Sequence, residues 1–188
     1  LGASTCAVDL LRVTGQKTFY AVNAVSGGMA GKVAADVLDV DKALWGAFAY
    51  WMTALSELMN MQASELHLDI DGQQFDLPSY GVVIANGRYV GGGFPIAPKA
   101  TLFDEKLSIV IIPVLPAMEL LSAGLNYTLG RTPPEPIKTF EAKRVHVSST
   151  PALHFSIDGE PTRAMEATFE VVPGALRMAV DPLLASSS

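Results

Sequence analysis

Asn86 to Gly93 is the first of three short segments whose residue types could support chemistry. An apolar run ends there in an amide and a cluster of glycines. Glycine permits positive φ and close backbone approach, so its N–H groups can cradle an oxyanion, and Asn86 can orient a hydroxyl or a phosphate oxygen. An ordinary flexible turn has the same composition, and no Gly-Lys-Ser/Thr follows as in a nucleotide P-loop. The candidate substrate-binding residues are Asn86, Gly91, Gly92 and Gly93, together with Asp158 of the third segment.

The second segment runs from Thr101 to Leu107 and contains an acidic pair, Asp104 and Glu105, directly before an apolar stretch. Carboxylates at such a position can hold Mg²⁺, with carbonyl oxygens filling neighbouring coordination positions. Because acidic turns are common on protein surfaces, an ordinary turn is the alternative interpretation.

The third segment is Asp158-Gly159-Glu160. Alternation of apolar and polar residues before it puts Asp158 on the polar face at the end of a strand, where Gly159 turns the chain and Glu160 projects. A carboxylate in that place could accept a proton from a hydroxyl nucleophile. The alternative is a plain Asp-Gly hairpin.

The first half of the chain predicts both strands and helices. Hydrophobic patterns and turn residues indicate a hairpin of strands 8–13 and 18–25, a helix over 30–38, a longer amphipathic helix starting near Asp41 with its apolar stripe running to Leu58, a strand 65–70 with an Asp71-Gly72 turn into 73–77, and a buried strand 80–85. The longest predicted helix carries an apolar stripe that is typical of a core-facing surface.

The second half is almost entirely β. The pattern predicts a strand over 107–112, a short helix with Pro116 near its start, a loop over 131–136, and strands around 145–147, 153–157, 167–171 and 175–180. We therefore expect a mainly β fold: one antiparallel domain over residues 1–188, sandwich-like or partly closed, with one long helix and one or two short ones.

Composition excludes several functions. The 188 residues are 49% apolar and 17% charged, so some apolar surface is expected to face a partner. A net charge of −6 without a Lys/Arg run argues against nonspecific nucleic-acid binding and a polybasic membrane anchor. A single cysteine, no signal peptide and no uninterrupted apolar span predict a cytoplasmic location, with peripheral membrane contact as an open alternative. Because the chain begins without Met, we expect a segment upstream.

Taken in order, the motifs resemble those of the bacterial diacylglycerol kinase and sphingosine kinase-like family. They are Asn23-Ala24-Val25-Ser26-Gly27-Gly28, Asn86-Gly87-Arg88-Tyr89-Val90-Gly91-Gly92-Gly93, Pro98-Lys99-Ala100 leading to Asp104, Asp158-Gly159-Glu160, and the apolar 171–176. The resemblance covers nearly the whole chain, and the four motifs in the correct order, followed by the apolar segment, are more specific than any one of them.

The resemblance implies roles for individual residues. It implies the C-terminal, β-sandwich-like domain of the diacylglycerol kinase/NAD kinase-like fold, with Glu160 as proton acceptor. It also implies a Mg²⁺ held by Asp104 and by backbone oxygens of Thr101 and Lys106. The sequence departs from the family's Leu-Asp-Asp-Gly-Leu-like turn, because Phe103 replaces the first aspartate and Glu105 replaces the glycine.

The expected function follows from these roles. ATP would bind an N-terminal domain through a Gly-Gly-Asp-Gly-Thr motif that this chain lacks. The chain would then be the substrate-side half of a kinase that phosphorylates a lipid hydroxyl, inactive alone and partnered by that N-terminal domain. One alternative is a non-catalytic lipid-binding module from a degenerate homologue. Another is kinase chemistry on a different hydroxyl. The sequence does not distinguish diacylglycerol from sphingoid bases, nor does it define an oligomeric state.

Overall fold

The structure is a computed structural model that describes residues 4–28, 62–90, 93–128, 137–162 and 166–180. The two helices predicted over 30–38 and from Asp41 lie outside the described residues, as do the predicted loop 131–136 and the glycines Gly91 and Gly92. Gly91 and Gly92 are candidate substrate-binding residues, so the structure does not test their predicted role.

The described residues form eleven strands and one helix. These are β1 (Ser4–Thr14), β2 (Thr18–Ala21), β3 (Ala24–Gly28), β4 (Ser64–Ile70), β5 (Gln73–Ala85), β6 (Leu107–Pro113), α1 (Ala117–Thr128), β7 (Thr139–Ala142), β8 (Arg144–Thr150), β9 (Phe155–Ile157), β10 (Glu160–Thr162) and β11 (Glu166–Val180). Every strand pair is antiparallel. In the described residues, no helix is long and apolar enough to cross a membrane.

The long strand β5 joins two layers of the sheet. Its first half pairs with β4, and from there the first layer continues through β8, β11 and β1 to β2. Its second half lies between β3 and β6, and the second layer extends through β3 to β9 and β10 and through β6 to β7. The sheet therefore folds over on itself at β5.

Ser79 marks the place where β5 changes layer. The pairing with β6 is irregular between Ser79 and Gly81, and Ser79 is completely buried. Its hydroxyl oxygen lies 2.7 Å from the carbonyl oxygens of both Gly81 and Ile112 and accepts the Gly81 N–H at 3.0 Å. Because buried backbone groups need partners, this hydroxyl replaces ladder hydrogen bonds that the bend interrupts.

One hydrophobic core fills the space between the two layers. It draws buried side chains from both, including Leu11, Leu66, Ile84, Ile109, Val145, Phe155 and Phe169. The rings of Phe155 and Phe169 pack with centroids 5.5 Å apart. A Cβ on Gly27 would lie 2.6 Å from the Phe155 ring, so glycine is required for that ring to reach the core.

A second cluster covers the opposite face of the second layer. It comprises Ala24, Val83, Ala85, Ile96, Ala97, Ala100 and Val110. The Tyr127 hydroxyl of α1 donates to the Ile96 carbonyl at 2.6 Å, and burial raises the pKa of Tyr127. The prediction that residues 80–85 form a strand covered on both faces is therefore confirmed.

The mainly β fold is confirmed, and so is the short helix after Pro116. Several boundaries were wrong. The expected strand 18–25 is interrupted at residues 22–23, the segments 73–77 and 80–85 are one strand, and 167–171 and 175–180 are likewise one strand, β11. The short edge strands β7 and β10 were missed, because three or four residues give too little alternation to detect.

Candidate functional site

The three chemically suggestive segments meet at one edge of the second layer. Neighbouring antiparallel strands run in opposite directions, so the end of one lies beside the start of the next. Ala24 of β3 pairs with Ala85 at the end of β5, which pairs with Ser108 at the start of β6. Val25 pairs with Ile157 of β9, which pairs with Glu160 of β10. We call residues 22–23, 86–90, 93–106 and 158–160 the loop edge.

The carboxylate of Asp158 accepts three backbone hydrogen bonds at the loop edge. Its Oδ2 accepts the Val22 N–H at 2.7 Å, and its Oδ1 accepts the N–H groups of Asn23 at 3.1 Å and Ala24 at 2.8 Å. This explains why the predicted strand 18–25 is interrupted: the amides at the break donate to a side chain instead of a strand. The partners observed for Asp158 are thus backbone amides, and substrate contact by this residue stays a prediction.

The Asp158-Gly159 turn itself is confirmed. Asp158 has φ of 46° and Gly159 has φ of 95°, as a two-residue hairpin turn requires. The Asp158 N–H also donates to the Ala24 carbonyl at 3.0 Å. Glu160 follows as the first residue of β10, and its side chain is exposed. Within the described residues the Glu160 carboxylate has no hydrogen-bond or ion-pair partner, so it is open to a proton donor.

Asn23 connects this turn to the glycine-containing segment. Its carbonyl accepts the N–H groups of Asn86 at 2.8 Å and Gly87 at 2.9 Å, and its Nδ2 donates to the Tyr89 carbonyl at 2.5 Å. A Cβ on Gly87 would overlap the Asn23 side-chain oxygen, so any other residue would force the Asn23 side chain to move. The glycine after Asn86 is therefore explained by close packing.

Asn86 is completely buried. Its Nδ2 donates to the carbonyls of Asp9 at 2.9 Å and Val22 at 2.8 Å, while its Oδ1 has no partner within the described residues. The amide therefore ties the end of β5 to β1 and to the break before β3. Substrate binding by Asn86 stays a prediction, and the bonds observed here are structural.

Gly93 is the one of the three candidate substrate-binding glycines that the structure describes. It is exposed and has φ of 80°, a conformation that glycine adopts readily. Its N–H donates to the Val90 carbonyl at 3.0 Å, and Val90 donates to the Phe94 carbonyl at 2.9 Å. The Gly93 N–H therefore already has a backbone partner.

Asp9 is a residue of the site that the sequence interpretation missed. It is 4% exposed and lies in β1 where the pairing with β11 is irregular. Its Oδ1 accepts the Gly174 N–H and its Oδ2 accepts the Glu105 N–H, both at 2.8 Å, while its own N–H donates to the Leu102 carbonyl at 2.8 Å. The signal was an aspartate within the apolar run Ala7-Val8-Asp9-Leu10-Leu11, since a buried charge must have partners.

The acidic turn predicted to hold Mg²⁺ is ordered by its own side chains. The Phe103 N–H donates to the Thr101 hydroxyl oxygen and the Lys106 N–H donates to Asp104 Oδ1, both at 3.1 Å. Asp104 and Lys106 are exposed. In the described residues, no group of three or more His, Cys, Asp or Glu side chains could hold a metal ion. One carboxylate with backbone carbonyls still suits Mg²⁺, which usually keeps several waters.

Two ion pairs flank this turn. The Lys106 ammonium contacts Glu141 at 2.8 Å, and Lys143 contacts Glu105 at 3.3 Å. Through its hydrogen bond and its charge, Lys106 holds the pKa of Glu141 below its usual value, and Glu141 in turn raises the pKa of Lys106. An ammonium group has no lone pair for a metal, so the backbone oxygen is the group that Lys106 can offer one.

Glu105 adopts a backbone conformation that favours glycine. Its φ is 55°, in the left-handed region. The resemblance predicts glycine at this position, and the structure shows why: the turn must place the Glu105 N–H on Asp9. Glycine adopts this left-handed backbone readily, whereas Glu105 adopts it with a side chain present.

An antiparallel sheet folded over one core, with these turns gathered at one edge, defines a β-sandwich-like domain. A family model described as the YegS C-terminal NAD kinase beta sandwich-like domain matches residues 23–180. The chain belongs to this family.

Curated relatives carry a lipid kinase name. A protein named probable lipid kinase YegS-like from Pseudomonas putida is 30% identical over 171 residues, covering 87% of this chain and 55% of the relative. One of the same name from Stenotrophomonas maltophilia is 27% identical over 179 residues, covering 94% and 58%. The chain therefore spans little more than half the length of these relatives.

Solved structures share the fold. The crystal structure of a diacylglycerol kinase from Bacillus anthracis str. Sterne superimposes with a TM-score of 0.69 at 21% identity, covering 96% of this chain and 59% of that chain. A further structure from the same strain superimposes with a TM-score of 0.73 at 20% identity, with coverage of 96% and 58%.

The buried Asp9 carboxylate predicts a large effect of Asp9→Asn. The replacement offers an NH₂ group to an N–H that needs an acceptor, so the free energy of unfolding should fall by about 2 kcal/mol. Asp76→Asn is the matched control, because Asp76 is exposed and pairs with His67, and should cost less than about 1 kcal/mol. Denaturant unfolding measures both, and equal effects would contradict the role given to Asp9.

The conformation of Glu105 predicts that Glu105→Gly is more stable than Glu105→Ala. Both variants lose the exposed ion pair with Lys143, so the difference isolates the backbone. A left-handed backbone destabilises the alanine variant but not the glycine variant. The greater conformational entropy of glycine in the unfolded state offsets part of this difference, so the free energy of unfolding should be about 1 kcal/mol higher for Glu105→Gly. Denaturant midpoints compare the two, and a more stable alanine variant would refute the assignment.

Proposed function

We propose that this chain is the substrate-side half of an ATP-dependent lipid kinase, which transfers the γ-phosphate of ATP to a lipid hydroxyl. The single observation that carries the proposal is the exposed carboxylate of Glu160 at the loop edge, which has no hydrogen-bond or ion-pair partner among the described residues. The family, and the lipid kinase name of the relatives, support lipid as the substrate class.

Glu160 is the proposed proton acceptor. A hydroxyl becomes a better nucleophile as its proton is taken, and a positioned carboxylate can take it directly. Glu160 suits this role because it lies at the start of β10, directly after a turn whose backbone is held by Asp158. Phosphoryl transfer depends mainly on positioning the reactants and on stabilising the charge of the phosphoryl group. This domain would contribute a base in a fixed position and an open loop edge.

Mg²⁺ is proposed at the acidic turn. Asp104 would hold it through its carboxylate, with the backbone oxygens of Thr101 and Lys106. The ion would supply positive charge near the anionic substrates. Asp9 serves this turn as well, because it holds the backbone of Glu105 from within the domain.

The proposal assigns ATP binding to a further domain of the whole protein. The chain spans 55% to 58% of the relatives' lengths, which leaves room in such proteins for an N-terminal domain. The loop edge would then face that domain across the substrate. A cytoplasmic protein with peripheral membrane contact fits a substrate that resides in a bilayer.

A non-catalytic lipid-binding module is the second candidate. It is favoured by the turn at Phe103 to Glu105, where an exposed aromatic residue and a glutamate at positive φ replace the residues that the resemblance predicts. Presence of a Gly-Gly-Asp-Gly-Thr motif in the whole protein would favour the kinase, and its absence would favour the binding module.

The proposed base predicts that Glu160→Gln abolishes catalysis in the whole protein. The amide keeps the shape of the side chain but accepts a proton poorly, so kcat should fall at least about 100-fold. Transfer of labelled γ-phosphate from ATP to lipid measures the rate. Glu65→Gln, an exposed glutamate on β4, is the matched control and should keep full activity. Near-normal activity of Glu160→Gln would remove Glu160 as the base.

The proposed division of labour predicts that the 188-residue chain alone does not bind ATP. The described loop edge has no Lys or Arg cluster on a glycine loop of the P-loop kind, and the Gly93 N–H is already bonded within its own turn. Isothermal titration calorimetry with MgATP should show no binding, whereas the whole protein should bind. Micromolar affinity of the isolated chain would place the nucleotide site within it.

A further inference from the structure

The Asp158 carboxylate sits two residues before the proposed base and faces the backbone of another strand. We infer that Asp158 is a positioning residue. Its carboxylate binds the backbone amides of Val22, Asn23 and Ala24, a set of bonds that we call the clamp, and the clamp fixes the position of Glu160. The inference rests on the proposed function, since it concerns the residue that presents the proposed base.

The clamp has defined geometry. Three N–H groups converge on two carboxylate oxygens at 2.7, 3.1 and 2.8 Å, and the Asp158 N–H returns a bond to the Ala24 carbonyl at 3.0 Å. Hydrogen bonds to an ionised acceptor are stronger than those between neutral groups. The turn is therefore joined to the start of β3 by four bonds.

Little else holds Glu160 in place. The strand β10 contains three residues, of which Glu160 and Pro161 are exposed, and among the described strands it pairs with β9 alone. With so little buried surface, its position depends on the turn before it. A displacement of about 1 Å at a reacting group can cost about 100-fold in rate, so a clamp on this turn has a catalytic consequence.

The clamp also connects Glu160 to the rest of the loop edge. Asn23 donates its N–H to Asp158, while its carbonyl accepts the N–H groups of Asn86 and Gly87. The turn at Asp158 thus binds the N–H of Asn23, and the segment after β5 binds the carbonyl of the same residue. Asp158 sets the distance between the proposed base and the glycine-containing segment.

The chain contains a close structural match to serve as control. Asp71-Gly72 is also an Asp-Gly hairpin turn, with φ of 47° and 88°. The Asp71 carboxylate likewise accepts backbone N–H groups of another strand, from Lys143 at 3.1 Å and Arg144 at 2.9 Å. It lies in the turn between β4 and β5, outside the residues that define the loop edge.

The test compares Asp158→Asn with Asp71→Asn in the whole protein. Asparagine tolerates positive φ, so each change weakens the clamp while keeping the turn. Lipid phosphorylation with labelled ATP should show kcat at least about tenfold lower for Asp158→Asn, with the KM for ATP unchanged within about twofold. Asp71→Asn should keep kcat within about twofold. Unchanged kcat in Asp158→Asn, or an equal loss in Asp71→Asn, would overturn the inference.

A double-mutant comparison separates positioning from general structural damage. Glu160→Asp keeps a carboxylate but already misplaces it, so adding Asp158→Asn should lower kcat by a clearly smaller factor than it does beside Glu160. Equal factors in both backgrounds would show that Asp158 acts independently of the base. If Glu160→Gln is active, the proposed base and this inference both fail. If Glu160→Gln is inactive while Asp158→Asn is not, this inference alone fails.

Discussion

The buried carboxylate of Asp9 imposes the constraint on which the loop edge depends. Removing a charge from water is costly unless donors surround it, and at 4% exposure Asp9 obtains those donors from the N–H groups of Glu105 and Gly174. Its carbonyl also accepts the Asn86 amide. One residue of β1 thereby fixes the acidic turn, the irregularity in β11 and the end of β5. The proposed metal position is thus set from inside the domain.

Aspartates bonded to backbone amides recur where this sheet is interrupted. Asp9 lies at the irregular pairing of β1, Asp71 holds the start of β8, and Asp158 holds the break between β2 and β3. Each carboxylate satisfies N–H groups that the strand ladder leaves without partners. The same bonds that complete the fold therefore place the proposed base and the proposed metal turn at one edge.

Local sequence patterns predicted much of this architecture. The alternation of Val145 and Val147 with polar neighbours, and the Asp71-Gly72 and Asp158-Gly159 turns, are properties of a few consecutive residues, and the structure confirms them. The bend at Ser79 depends on the Ile112 carbonyl from another strand, and the role of Asp9 depends on Gly174. Such contacts join distant parts of the chain, so no short pattern contains them.

The candidate site was likewise predictable where it depends on short motifs and not where it depends on contacts between distant parts of the chain. The motif order selected the segments that meet at the loop edge, among them the Asp-Gly turn followed by Glu160, which is exposed. It did not show that the Asn86 amide is turned inward to the carbonyls of Asp9 and Val22, or that Asp158 faces three amides. A motif records which residue types a site needs, whereas side-chain direction is decided by the partners that packing brings near.

The most direct test of the account is whether the whole protein containing this chain phosphorylates a lipid alcohol. Purified protein would be incubated with Mg²⁺, γ-labelled ATP and mixed micelles holding diacylglycerol, a sphingoid base or phosphatidylglycerol, and the extracted lipids would be resolved by chromatography. The account predicts labelled phosphomonoester on at least one of these lipids. Retention of all label in ATP and inorganic phosphate, with every lipid unlabelled, would contradict it.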